Sequence, residues 1–451
     1  IFGTLFAIGT GSNMITFTRN GSTNWMSINF SDVSNDSSKL QYCIIEYGSE
    51  SGYDPYVGVI NCNESSPTIS NNTIQHNSDY GIYTYGSTAQ PLILNNLFQS
   101  NSGDGITVEN ISMPTIDGNT ITGNSGGICL MDYGKAIIKN NSISDNNVSG
   151  IYLKRYCHST FISNNTISNN NYGIYVKEDN DDIEIKNNTI SNNSSYGVWI
   201  YQGNKNFDIL GNIISDNGED GIYIYNPYNN DGNYGNIIEN LIVKNGGYGI
   251  YLRRMQYGNT EVRNNTISDN SDDGLYWTSY NSSSYVLIAK NNSITNNNGN
   301  GIYCSNGGDY NTISYNNCWN NSSNNYTGNL PNGTGNLTNV NINGTVCDVY
   351  YNISENPVYV DPNSSDFTLQ PTSPNIDAGD STYTDLDGTP SDIGVFPFLQ
   401  DVPIMVVSTS SLDFDQTVVG NSDTLNLTIS NIGIDTVRIA PLEFSDSIFY
   451  S

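Results

Sequence analysis

Lys154 with Arg155, and Lys177 with Glu178 and Asp179, are the charged clusters of this 451-residue sequence that could do chemistry on a substrate. They recur 23 residues apart, so if the chain is built of coils of about that length they sit on adjoining coils. There they could hold an acidic sugar, with Lys or Arg as base. The competing expectation, and the stronger one, is that these are solvated charges pairing across coils. Asp181, Asp182 and Glu184, with Glu219 and Asp220, have the residue types of a glycoside-hydrolysing carboxylate pair. In a chain with 44 Asp plus Glu against 15 Lys plus Arg, chance proximity is the better account of them. The two histidines, His76 and His158, have no partner that would make a triad. Asp385-x-Asp387-Gly sets oxygens at alternate positions and could hold calcium, but it lacks the later bidentate Glu of a full loop, so an Asx turn is favoured. No catalytic residue, other metal site or cofactor is assigned.

The elements that must carry these residues are set by a repeat. From Gly58 to Gly301 a glycine returns every 22 to 28 residues, followed by a triplet such as Ile151-Tyr152-Leu153 or Ile174-Tyr175-Val176. A repeat that short holds two or three brief strands and must be one coil of a solenoid. Period-two alternation turns the aliphatic members inward and the aromatic member outward. The second half of each coil carries an asparagine register: Asn72, Asn96, Asn119, Asn141, Asn165, Asn188, Asn212, Asn240, Asn265, Asn292 and Asn317. A second asparagine follows five residues later in ten of these coils, from Asn77 to Asn297, and breaks at Ser322. Both sets predict corner ladders, in which Asn accepts left-handed backbone and stacks on its counterpart about 4.8 Å away.

This pattern over residues 1–345 resembles the right-handed parallel β-helix repeat proteins, the superfamily that includes pectate lyases and the carbohydrate-binding and sugar-hydrolase β-helix modules. The resemblance implies an all-β fold, a right-handed parallel β-helix of about eleven regular coils plus opening coils around Ala7-Ile8-Gly9-Thr10, Ile15-Thr16-Phe17-Thr18 and Trp25. Residues 346–400, with Ser373-Pro374-Asn375-Ile376-Asp377-Ala378-Gly379-Asp380 and Asp392-Ile393-Gly394, resemble the closing segment that follows many bacterial surface β-helices. Residues 401–451, with Ser411-Leu412-Asp413-Phe414 and Asn431-Ile432-Gly433, resemble the opening strands of an immunoglobulin-like domain, about half of such a sandwich. An extended segment such as Ile1 to Ile8 of a neighbouring copy is expected to complete it by strand addition, with a longer natural chain as the competing explanation.

Two surface features remain. Tyr83, Tyr152, Tyr175, Trp199, Tyr223, Tyr251, Tyr276 and Tyr303 form an outward aromatic row that would either stack on pyranose rings, pack against another protein, or stack on itself. Asn71, Asn140, Asn164, Asn187, Asn264 and Asn291 begin N-x-Ser/Thr sequons that would line one edge with glycans, although an Asn-rich repeat generates sequons automatically. The seven cysteines show no C-x-x-C spacing; buried thiols are the plain expectation, with Cys43–Cys62 and Cys304–Cys318 as bridges in an oxidising compartment.

A net charge of −29 makes nucleic acid and anionic membranes poor partners, and no apolar run is long enough to span a bilayer. Two functions fit. Regular coil length favours a non-catalytic extracellular structural or adhesive protein, a glycosylated filament subunit joined end to end by strand complementation, that binds itself or other surface proteins. The alternative is a carbohydrate-active β-helix enzyme, a polysaccharide lyase or glycoside hydrolase, or a glycan-binding module.

Overall fold

The computed structural model describes residues 1, 3–32, 34–48, 58–227, 232–255, 258–279, 285–400, 405–407 and 427–431. Three parallel sheets of 13 strands each wind into a β-helix, every strand bonded to its counterparts one coil before and one coil after. The first sheet runs from Phe6–Ile8 to Thr312–Ser314, the second from Ile15–Phe17 to Asn317–Trp319, and the third from Ile28–Phe30 to Tyr326–Gly328. Thirteen rungs at about 4.8 Å make a column on the order of 60 Å long.

Most of these strands are three to six residues long, too short to persist alone, and they are held by their ladder partners and their inward side chains. In strand Tyr172–Glu178, Ile174 and Val176 are fully buried while Tyr175 between them faces out. In the second sheet only the middle residue turns in, as Ile167 does between Thr166 and Ser168. Ile121, Ile143, Ile167, Ile190 and Ile214 thus stack coil on coil, each worth about 1.5–3 kcal/mol of burial.

The asparagine doublets divide two tasks between their members. The first member takes the left-handed backbone, with φ of 57° at Asn71, 55° at Asn164 and 53° at Asn187. The second is buried and builds the ladder: Asn165 Oδ1 accepts from the amide (2.9 Å) and Nδ2 (2.9 Å) of Asn141, while its own Nδ2 donates to Ile138 O and Asn188 Oδ1. The last coil corrects the expected register. Ser293 pairs with Asn317, so the ladder residue is Asn316, not Asn317, and its companion is Asn321, not Ser322. Tyr315 occupies the left-handed place there (φ 57°), which hid the shift. Asn352 adds one more rung beyond the sheets, and Asp348 closes the ladder by accepting from Asn352 Nδ2.

Residues 355–395 fold back along the second sheet. Tyr359, Phe367 and Leu369 pack on Leu241 and Val243, Tyr359 Oη meets Ser293 Oγ at 2.6 Å, and Lys290 pairs with Asp380 at 2.8 Å. Leu241 and Val243 stand where upstream coils carry Thr, Ser or Ile on the open surface, which explains why an apolar hairpin settles there. Of the expected sandwich, Met405–Val407 pairs antiparallel with Ile429–Asn431, and the remainder lies outside the described residues. Phe6–Ile8, expected to serve a neighbour, is the first strand of the chain's own first sheet and pairs with Lys39–Gln41. All seven cysteines are free and buried. The suggested bridges fail because Cys43 and Cys318 belong to the second sheet whereas Cys62 and Cys304 belong to the third.

Candidate functional site

The outer face of the third sheet is where the side chains of chemical interest gather, in three columns. The central column is the aromatic row, the column four residues after the glycine holds Lys154, Lys177, Tyr201, Tyr225 and Arg253, and the one just before the glycine holds Asp104, Ser149, Tyr172, Tyr196, Asp220 and Tyr248. Parallel in-register pairing puts each residue directly over its counterpart, so like side chains must stack.

They stack mostly on one another. Tyr152 lies over Tyr175 (4.9 Å, 9°), Tyr175 over Trp199 (4.2 Å, 6°), and Tyr276 over Tyr303 (4.8 Å, 15°). Tyr223, Tyr251 and Tyr276 continue the row with tilted or edge-on contacts of 5.2 and 5.0 Å. Ring faces are therefore used inside the ladder, and what the row offers to solvent is ring edges and phenol hydroxyls. Tyr83 stands apart from the rest. Its hydroxyl donates to Glu109 at 2.6 Å, and Thr107 and Cys129 fill the two places between it and Tyr152.

That interruption leaves a recess of about 210 Å³, lined by Asp104, Gly126, Cys129, Met131, Val148, Ser149, Tyr152 and Lys154. Ser149 is 2% exposed and its hydroxyl has no hydrogen-bond partner among the described residues. A Cβ on Gly126 would run into Asp104 Oδ1, so only glycine keeps this carboxyl open. Toward the other end of the row, Arg253 Nη1 donates to Tyr223 Oη at 3.2 Å and the guanidinium lies 4.5 Å over the Tyr225 ring. Its contacts are to tyrosines, and among the described residues no carboxylate pairs with it.

The other predicted groups do not join this face as a catalytic set. Arg155 pairs with Asp132 at 2.6 Å and Lys177 with Glu178 at 3.0 Å, the ion-paired state. Asp182 and Glu184 border a shallow dip on the first sheet, whereas Asp220 precedes a third-sheet strand, so the two acidic sets do not converge. His158 Nδ1 accepts the amide of Asp181. Asp385 Oδ2 accepts from Asp392 N, and Asp387 accepts from Thr389 and Gln400 N; the segment is a turn with its carboxylates engaged by backbone amides. Among the sequons, Asn140, Asn164 and Asn187 are exposed and Asn71 is half-buried. Asn291 is fully buried, and Asn264 is half-buried beside Ser391, both under the returning C-terminal segment, so neither can carry a glycan in this packing.

Burial pushes Asp104 up to about 6 and Asp220 to about 7, and in the C-terminal segment Asp385 to about 6 and Asp392 to about 7. Asp220 still accepts the Tyr248 amide at 2.8 Å, and a carboxyl of that character can give or take a proton near neutrality. Each of the four holds its proton more tightly folded than unfolded, where the ordinary value is 3.8. Their stabilising contribution is complete below about pH 4 and is lost as pH rises through 6 to 7. Asp366, held low by the Thr368 hydroxyl, runs the other way, but its contribution is lost only below the ordinary carboxylate range. Thermal denaturation should therefore give a higher Tm at pH 5 than at pH 8. Asp220→Asn, which keeps the acceptor for Tyr248, should flatten that difference; an equal or lower Tm at pH 5 would contradict the assignment.

The model of the right-handed β-helix region family matches residues 57–214 and 172–346, and the chain belongs to that family. No curated protein sequence matches it. Among solved structures it is similar to a periplasmic alginate epimerase, at 16% identity and a TM-score of 0.47 over 68% of this chain and 74% of the other. It is also similar to the A-module of a mannuronan C-5 epimerase of Azotobacter vinelandii (16%, TM-score 0.42, 68% and 88%) and to a pectate lyase (12%, TM-score 0.38, 84% and 97%). No helix among the described residues is long and apolar enough to cross a membrane.

Proposed function

We propose that this protein is an extracellular glycan-binding β-helix whose third-sheet face holds a polysaccharide chain along the column. The observation that carries this reading is Arg253, a cation hydrogen-bonded to Tyr223 Oη, braced on Tyr225, and set among aromatic edges without a carboxylate partner among the described residues, in a chain of net charge −29. Phenol hydroxyls both donate and accept, ring edges are apolar, and Arg presents a planar fork of N–H donors; together they match the alternating hydroxyl and C–H surface of a sugar polymer. Rigid stacking keeps these groups in place before binding, which lowers the ordering cost. This reading favours the carbohydrate-directed alternative over a purely structural filament subunit.

Affinity electrophoresis in gels containing neutral or acidic polysaccharides tests it. Retardation of the parent protein is expected in at least one gel, and Tyr251→Ala and Arg253→Ala should each weaken it about tenfold, a loss of roughly 1.4 kcal/mol. Folded variants that are retarded as strongly as the parent would exclude this face as the binding surface.

A further inference from the structure

The glycan-binding reading places a polymer across ring edges, because the ladder consumes its own ring faces. At its Tyr152 end the ladder leaves a face unstacked. Tyr152 stacks on Tyr175 on one side, and its register partner on the other is Cys129, a residue too small to cover the ring. In the same column Thr107 follows, so the gap from Tyr83 to Tyr152 spans three coil steps, on the order of 14 Å.

The gap is furnished with polar groups that the fold does not need for itself. Ser149 is buried, lines the recess and has an unsatisfied hydroxyl, a state that costs free energy unless something else meets it. Asp104 takes contacts from Thr107 Oγ1 at 3.4 Å, from the Cys129 thiol and from the Gly126 backbone, which leaves one acceptor place on a carboxylate that can accept about four bonds. Lys154 is exposed at the mouth, has no ion-pair partner among the described residues, and brings three donors. Met131 and Val148 supply apolar walls.

We propose that the recess is a discrete subsite for one neutral pyranose ring, stacked on the free face of Tyr152, with neighbouring hydroxyls shared between Asp104, Ser149 and Lys154. A flat apolar platform beside one acceptor carboxylate and one donor ammonium suits a vicinal diol, one hydroxyl donating to the acid and the next accepting from the amine. A uronate is disfavoured, since its carboxylate would approach Asp104 in a recess with a single cation at its rim. The inference rests on the glycan-binding reading but concerns a different end of the face.

Cys129→Tyr is the decisive variant. It would extend the aromatic ladder by one ring and fill the recess, so it should fold as the parent does. Saturation-transfer NMR on the whole chain with methyl β-glucopyranoside, methyl α-mannopyranoside and methyl α-galacturonate reads the outcome. A neutral pyranoside should receive transfer from the parent, lose it in Cys129→Tyr, and bind roughly tenfold more weakly to Lys154→Gln, a surface change that leaves the fold alone. No transfer to either neutral ring, transfer to the uronate alone, or equal binding by a folded Cys129→Tyr or by Lys154→Gln would overturn the proposal. Retardation by polymer should survive Cys129→Tyr. Loss of pyranoside binding in Cys129→Tyr with polymer retention intact in that same variant therefore separates this subsite from the polymer face, and failure of one assay leaves the other standing.

Discussion

Asn165→Leu should lower unfolding stability by about 3–5 kcal/mol, although it is a single change to a residue of similar size. The Asn165 side chain makes four bonds in the buried ladder: two accepted from Asn141 and two donated, to Ile138 O and Asn188 Oδ1. Leucine leaves the Asn141 amide unpaired away from water, which costs about 1–3 kcal/mol, and forfeits the remaining bonds at about 0.5–1.5 kcal/mol each. Because a coil touches only its neighbours, the loss falls in mid-column, where it uncouples the two halves instead of fraying an end. Asn164→Gly, at the adjacent left-handed position, should be nearly neutral, since glycine adopts that backbone freely. Urea unfolding followed by far-UV circular dichroism compares the two. A loss below 1 kcal/mol for Asn165→Leu would mean that the ladder decorates the column without holding it.

That pair of asparagines also shows how far the sequence could be read. Inward aliphatics, the coil length and the ladder were legible because each recurs at a fixed offset from a glycine, and stacked parallel strands translate a sequence period directly into a spatial column. The reading slipped where a local substitution masked the offset, as at Tyr315-Asn316-Asn317, in which a tyrosine holds the corner that asparagine holds elsewhere. It could not see that Asn264 and Asn291 are covered, since the residues covering them, Gly379, Asp380 and Ser391, come about 90 to 130 positions later. Leu241 and Val243 were the available hint, apolar residues on a surface of threonine and serine. The recess was written in the chain as Thr107 and Cys129, two small residues in a row of rings. A missing side chain makes a cavity only once its neighbours are known, and Asp104 and Ser149 enter from a column that carries no repeat of its own.

Gly197→Ala should cost about 2–3 kcal/mol or more, the penalty of overpacking with no room to relax. Backbone torsion is not the reason, since Gly197 does not have a positive φ. A Cβ there would lie 2.6 Å from Ile214 Cγ2, 2.7 Å from Gly221 O and 2.9 Å from Asn217 Nδ2. None of the three can yield: Ile214 is fully buried, Gly221 O accepts the Val198 amide at 2.9 Å, and Asn217 is bonded to Asn193 and Asn245. The glycine repeat is thus a line of close approach along which each coil settles against the next. Gly123 provides the contrast. It is left-handed (φ 65°), its nearest atoms are 3.9 Å from a built Cβ, and other coils place Asp145 or Asn169 at that corner, so Gly123→Asn should stay within about 0.5 kcal/mol of the parent. Hydrogen exchange localises the difference: Gly197→Ala should expose the amides of Val198–Tyr201 and Ile222–Tyr225, the strands on either side of the clash, while Gly123→Asn leaves them protected. If both variants exchanged alike, the spacing of the glycines would reflect turn conformation and not the packing of coil on coil.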